Sequence, residues 1–257
     1  MIAAPYGMDP CRVIVDPVPG SGEWNMAVDE ALLESAVAGG ACATRWYRWN
    51  QATLSIGYFQ TADEAHRDGH LHRLPVVRRL TGGGAIVHHH ELTYSCTLPA
   101  RHPLARNVRD LYLAVHETII RVLAGFKFDA GLRGNGDAGR RGAFLCFGRG
   151  DDFDVVMSGC KILGSAQRRR KGAVLQHGSL LLRRSEWASE FPGVFDCAGH
   201  DVPEADLVAQ LSRAVGEVLA AKAATGTLSE DERRRAVALI QEDGMAGVNE
   251  SHLRNSI

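Results

Sequence analysis

The stretch GAFLCFGRGDDFDVVMSGCKILGSAQ, residues 142–167, holds a thiol at Cys146 and an amine at Lys161. A cysteine is nucleophilic as its thiolate, which makes Cys146 a candidate nucleophile. Its apolar and aromatic neighbours suit a small buried hydrophobe as well, because free cysteine is among the most buried residue types. The other five cysteines, at positions 11, 42, 96, 160 and 197, form no CxxC pair and no Cys/His zinc spacing, which predicts free thiols and no metal.

A second chemical segment is RRLTGGGA, residues 78–85. It lacks the GK[ST] ending of a P-loop, and strand-like rather than helical sequence follows it, so it is not a dinucleotide fingerprint. Gly82, Gly83 and Gly84 let backbone N–H groups approach a ligand, with Arg78 and Arg79 supplying charge; a plain flexible turn is the alternative. The triple histidine at 88–90 offers no metal site, because strand neighbours point to opposite faces and no carboxylate or cysteine partner stands at a usual spacing. His177, in LQHGS, is either a proton relay or a structural strand histidine.

These groups need a scaffold, and the chain is long enough for one. Its 257 residues are 45% hydrophobic and 23% charged with a formal net charge of -1, which excludes a broadly cationic nucleic-acid binder. No basic region precedes an apolar leader segment and no long apolar run is present, so the reading is cytoplasmic, with neither nucleic acid nor membrane as partner.

SGEWNMAVDEALLESAVAGG places Trp24, Ala27, Val28, Ala31, Leu32 and Ala36 on one helical face. TRWYRWNQATLSIGYFQ and LPVVRRLTGGGAIVHHHELTYSCTLP read as strands. RNVRDLYLAVHETIIRVLAGF repeats apolar residues at 108, 111, 112, 115, 119 and 122, and DAGLRGNGDAGRRGA reads as a mobile loop leading to Cys146. From Phe153 an antiparallel meander follows, with turns at Ser158-Gly159 and in the basic RRRKG. Pairing Met157 with Cys160 and Val156 with Lys161 puts Phe153, Val155, Met157, Cys160 and Ile162 on an apolar face. Asp154, Val156, Lys161 and Leu163 take the other. Two helices complete the chain, one opened by Pro203 and one by a Ser229/Glu232 capping box with Gly244 as its stop.

NMAVDEALL, RWYRWNQATLSIGYFQ, RRLTGGGAIVH…ELTYS and GCKILGSAQRRRKGAVLQHGSLLL together resemble the successive signatures of the biotin/lipoate protein ligase catalytic-domain family, over residues 10–195. The resemblance implies an α+β fold, a mixed and largely antiparallel sheet packed by helices, with residues 196–257 as a C-terminal helical extension. The chain is most similar to the octanoyltransferases of the LipM type, which carry a Cys-Phe pair upstream of the lysine strand, here Cys146-Phe147 and Lys161. In that subgroup the cysteine is the acyl-thioester nucleophile and the lysine favours its thiolate. The resemblance implies catalytic Cys146 and Lys161, with His177 as a lesser candidate. It implies substrate binding by Arg79, Thr81, Gly82, Gly83, Gly84, Ala85, His88, Gly164, Ser165 and Ala166. Where the family commonly has a His-Asp pair after the loop, this chain has HHHE.

The implied donor is octanoyl-acyl carrier protein and the implied acceptor a lysine of a lipoyl-domain protein such as the glycine cleavage H protein, with no cofactor. Arg168, Arg169, Arg170 and Lys171, with Arg133, Arg140 and Arg141, form either a docking patch for an acidic carrier or a solvated turn. The chain also resembles lipoate-protein ligase A, which would use ATP and magnesium, and a lipoyl amidotransferase of the same family is a further alternative. A non-catalytic carrier-binding module is the reading from another class.

Overall fold

The computed structural model describes residues 10–61, 70–134 and 144–254, with side chains as far as residue 242. An eight-stranded sheet is ordered β11-β1-β2-β6-β10-β9-β8-β7. Its strands are β1 (Cys11–Val15), β2 (Ala43–Tyr47), β6 (Glu91–Leu98), β7 (Ala130–Leu132), β8 (Val155–Met157), β9 (Cys160–Arg170), β10 (Ala173–Leu181) and β11 (Ala223–Thr225). Pairing is parallel only where β1 meets β11 and β2, and antiparallel elsewhere. A smaller sheet joins β3 (Thr53–Ile56) to β4 (Val76–Arg78) and β5 (Ile86–His88). The mixed, largely antiparallel α+β architecture matches the expectation.

Helix α1 (Gly22–Val37) buries Ala27, Val28, Ala31, Leu32 and Ala36, as its apolar spacing predicts. On the main core, α2 (Val108–Gly125) inserts Leu111, Val115, Ile119 and Leu123, while Val108, at the first helical position, is exposed. The short α3 (Val194–Ala198) precedes α4 (Glu204–Leu219), whose Leu207, Leu211, Val215 and Leu219 join the same core as α2. Helix α5 (Glu230–Arg254) covers α1, with Ala236 and Leu239 against Ala27, Val28 and Ala31. Its capping box forms as read: the Ser229 amide donates to Glu232 at 2.8 Å and the Glu232 amide to Ser229 Oγ at 3.2 Å.

Beyond residue 195, α4 and β11 pack on the elements that precede them, α4 supplying part of the main core and β11 an edge strand on β1. The helix does not stop at Gly244 but runs through it to Arg254, since one interior glycine costs only about 1 kcal/mol. The stretch read as a loop before Cys146 contributes β7 on the outer edge of β8. Residues 135–143 of that loop, with Arg140 and Arg141, lie outside the described residues.

Both expected hairpin turns are present with positive φ at each turn residue, Ser158 and Gly159 in one, Lys171 and Gly172 in the other. That is the backbone signature of the type I′ turn that joins twisted strands. The register matches too, Met157 against Cys160 and Val156 against Lys161. Beyond it a bulge intervenes, so that Val155 pairs with Leu163 and Ile162 is the extra residue. The bulge turns Leu163 into the main core with Val155 and Ile162, correcting the face expected for it, and leaves Lys161 directed away from that core. Cys160, expected in the core, is half-buried against the Cys197 thiol, because it is the first residue after the turn.

Candidate active site

Cys146 opens a single helical turn, Cys146–Gly148, that docks on the glycine-rich segment. The Ala85 amide donates to the Phe144 carbonyl at 3.0 Å and the Cys146 amide donates back to Ala85 at 2.7 Å. Gly84 makes this approach possible: a Cβ there would stand 2.8 Å from the Phe144 carbonyl oxygen and 3.0 Å from the Cys146 nitrogen. Glycine at 84 thus serves backbone contact with the Cys146 turn.

Lys161 Nζ lies 3.9 Å from Cys146 Sγ and within 3.5 Å of the carbonyl oxygens of Cys146 and Arg149. Its strongest partner is one the sequence reading did not assign: Asp154 Oδ1, at 2.9 Å, with both side chains buried. Asp154 is aimed by its own turn, where its Oδ2 accepts from the Asp151 amide at 2.8 Å and Asp151 Oδ1 accepts from the Phe153 amide at 3.0 Å. Burial holds the Asp154 carboxyl above its ordinary value, against the charge and hydrogen bond of Lys161. The three side chains form a chain from carboxylate to ammonium to sulfur.

Gly164 makes room for that lysine. A Cβ there would sit 2.5 Å from Lys161 Cε and 2.9 Å from Nζ. Because the clash falls on the far end of a flexible chain, Gly164→Ala should fold normally while pushing Lys161 off Cys146. The expected loss is about tenfold in the rate of Cys146 acylation with an unchanged melting temperature. An unaltered rate would show that the position of Lys161 is immaterial.

A narrow cleft is lined by Cys146 and Phe147 together with Arg79, Gly82, Gly83, His88, Gly164, Ser165, Ala166 and His177. Met26 and Ile86 add apolar wall. Thr81 and Ala85 are fully buried behind it rather than on it. Thr81 Oγ1 meets His177 Nε2 at 2.6 Å, and His177 Nδ1 lies 3.3 Å from Asp29 Oδ2. Asp29 also accepts from Arg45, Tyr47 and Ser95. Burial acts to raise the Asp29 carboxyl, yet the hydrogen bond from His177 and the Arg45 charge carry it below the usual carboxylate range. This carboxylate orients His177 with its Nδ1 proton toward Asp29 and Nε2 as the acceptor of the Thr81 hydroxyl.

His88 is a structural member of the cleft. Its Nδ1 donates to Glu91 at 2.6 Å, its Nε2 accepts from Ser55 at 2.6 Å, and its ring stacks on Trp49 at 3.8 Å. Burial pushes its pKa down despite Glu91, so the ring is neutral. Glu91 is thus the carboxylate partner of His88, three residues on. His89 and His90 lie in a bend rather than a strand, which overturns their expected opposite orientation: their rings stack at 3.6 Å, and with Glu186 they bring donor atoms within 4.8 Å of one another.

His116 of α2 braces the cleft from behind. Its Nδ1 donates to the Phe153 carbonyl and its Nε2 meets Ser165 Oγ, each at 2.6 Å. Burial pulls its pKa from 6.5 down to about 4. Above pH 6.5 both folded and unfolded chains keep this ring neutral. Below it the unfolded chain takes up a proton that the folded chain refuses until about pH 4, so stability falls with pH across that window, by roughly 3 kcal/mol. His116→Gln should flatten this part of the profile in urea denaturation between pH 7.5 and 4.5; parallel slopes in the two proteins would remove the assignment.

The expected basic patch is not a free run of charge. Arg169 donates to the Ala105 carbonyl, Arg170 pairs with Glu30 and Glu34, and Arg133 faces Asp154 at 3.6 Å. Only Lys171 and Gly172 form the turn, with Arg168 half-buried over the Tyr58 ring. No helix among the described residues is long and apolar enough to cross a membrane.

This arrangement, a cysteine and an ion-paired lysine at an apolar cleft in a mixed sheet, sits on the fold of the lipoate protein ligases: protein Ta0514 of T. acidophilum superposes with a TM-score of 0.72 at 24% identity, over 91% of this chain and 95% of that one. The chain belongs to the lipoyl protein ligase A/B catalytic domain family, whose profile matches residues 21–224. Among curated relatives, the octanoyltransferase LipM of Carboxydothermus hydrogenoformans is 39% identical over 66% of this chain and 64% of its own length. That of Kyrpidia tusciae is 33% identical over 86% of this chain and 92% of its own. The chain spans just under two thirds of the Carboxydothermus protein.

Proposed function

We propose that the protein is an octanoyltransferase of protein lipoylation. It takes an octanoyl group from acyl carrier protein onto Cys146 and passes it to a lysine of a lipoyl-domain protein, such as the glycine cleavage H protein. The observation that carries this reading is Lys161 Nζ at 3.9 Å from Cys146 Sγ, on the wall of an apolar cleft. Relatives named octanoyltransferase LipM support it.

In the first step the Cys146 thiolate attacks the thioester carbonyl, the new C–S bond forms, and negative charge gathers on the carbonyl oxygen. Collapse of that intermediate expels the carrier thiolate and leaves octanoyl-Cys146. In the second step the acceptor amine attacks the same carbonyl, Cys146 leaves as thiolate, and the amine loses a proton. His177, which lines the cleft and is held by Asp29, is the base we assign to that proton. Lys161 donates from a position next to the sulfur, where the carbonyl oxygen develops its charge.

Exchange between thioesters is nearly isoenergetic, so neither ATP nor magnesium is required. Transfer to a lipoyl domain should run at the same rate with EDTA and no nucleotide as with both present. A rate that depends on ATP, together with ATP–pyrophosphate exchange driven by lipoate or octanoate, would instead establish the ligase reaction.

A further inference from the structure

We propose that Arg79 is the counter-charge of this site, its guanidinium facing first the Cys146 thiolate and then the oxyanion of the thioester under attack. The assignment rests on the cysteine-transfer reading above and deepens it. Arg79 is 2% exposed, and among the described residues no carboxylate forms an ion pair with it. Its Nη1 donates to Ser55 O and Oγ, each at 2.7 Å, and its Nη2 to Gly82 O at 3.2 Å and Gly84 O at 2.8 Å. Its Nε has no partner.

A buried cation surrounded by neutral oxygens is costly unless an anion joins it. The nearest carboxylate reached through its bonds, that of Glu91, is separated from it by Ser55 and His88, a relay of neutral groups. Burial pulls the guanidinium pKa down to about 10, the Cys146 sulfur being the foremost group that acts the other way, so Arg79 stays charged at neutral pH.

Placement supplies the anion. Arg79 and Cys146 line one cleft. The Gly84 carbonyl that Arg79 holds belongs to the peptide packed against the Cys146 turn, where Ala85 and Cys146 exchange a backbone bond of 2.7 Å. Lys161 cannot supply a net positive charge alone, because Asp154 stands 2.9 Å from its ammonium. Asp154 is shared between Lys161 and Arg133, which faces it at 3.6 Å, and Arg79 adds a further positive charge for the ionised sulfur and the developing alkoxide.

The alternative is that Arg79 only ties the glycine-rich loop together, and Arg79→Gln and Arg79→Lys separate the two. Cys146 alkylation by iodoacetamide is followed by peptide mass at pH 7 and pH 10, beside single-turnover acylation from octanoyl-carrier protein. Arg79→Gln should alkylate about tenfold more slowly than the natural protein at pH 7 and equally fast at pH 10, while its acylation stays down about 100-fold at both. Arg79→Lys should keep the natural alkylation rate at pH 7.

Natural alkylation by Arg79→Gln at pH 7, or an equal loss in the glutamine and lysine variants, overturns the proposal. If Arg79→Gln does not fold, as judged by its melting transition, Arg79→Lys decides: retained alkylation supports the counter-charge and a tenfold loss overturns it. Should the natural protein take up no acyl group, the transfer reading fails, while alkylation still reports the charge that Arg79 places on Cys146.

Discussion

Cys146→Ser is expected to lower octanoyl transfer at least about 10³-fold, the largest effect any single substitution should have. A serine hydroxyl needs an adjacent base to attack, and Lys161, committed to Asp154 at 2.9 Å as an ammonium, is a donor rather than a base. No other cysteine lines the cleft. Cys11, Cys42 and Cys96 are buried in the core, where a hydrogen bond with Cys42 and burial push Cys11 up, and burial pushes Cys96 up to about 12. Burial also raises Cys197. A hydroxylamine-sensitive label on the natural protein should therefore map to Cys146 alone. Label of equal intensity on Cys160, or a serine variant with a tenth of natural activity, would contradict the assignment.

Lys161→Ala is expected to cost about 100-fold or more in single-turnover acylation, and the loss should persist at alkaline pH, where any cysteine is ionised. Lys161 contacts the sulfur at 3.9 Å and two carbonyls of the Cys146 turn, so its removal takes away a donor as well as a charge. It also takes from Asp154, a buried carboxylate, its nearest ion-pair partner among the described residues and leaves Arg133 at 3.6 Å, and breaking a buried pair typically destabilises by about 3 to 5 kcal/mol. The double variant Lys161→Ala with Asp154→Asn distinguishes the two consequences: stability should return toward the natural value while acylation stays low. Full recovery of the single variant's rate at pH 10 would reduce Lys161 to an electrostatic role, and recovery of activity in the double variant would remove its catalytic role altogether.

How far the residues announce this site varies with the physics that holds each one. The Cys146–Lys161 pair follows from motif resemblance, and the hairpin register from a two-residue Ser158-Gly159 turn whose backbone demands are local. That register also places Asp154 on the face of Lys161, so their buried ion pair is legible in the sequence. The same pattern misassigned Leu163, because strict alternation cannot show the extra residue of a bulge at Ile162. Asp29 and His116 sit on amphipathic helices, and the seam they enter is formed by strands far along the chain, Ser95 and His177 for the first and Ser165 for the second. Polar residues on a helix read as its solvated face until tertiary packing is known. Strands β7 and β11 are three residues each, too short for any period to register.

On the proposed reaction, Cys146 accepts an acyl group directly from a thioester. Intact mass spectrometry after mixing the protein with octanoyl-carrier protein, in the absence of nucleotide and acceptor, tests it most directly. The expected result is a mass increase of one octanoyl group on the natural protein, reversed by hydroxylamine and absent from Cys146→Ser. An unmodified mass under these conditions, with modification appearing only once ATP is added, would contradict it.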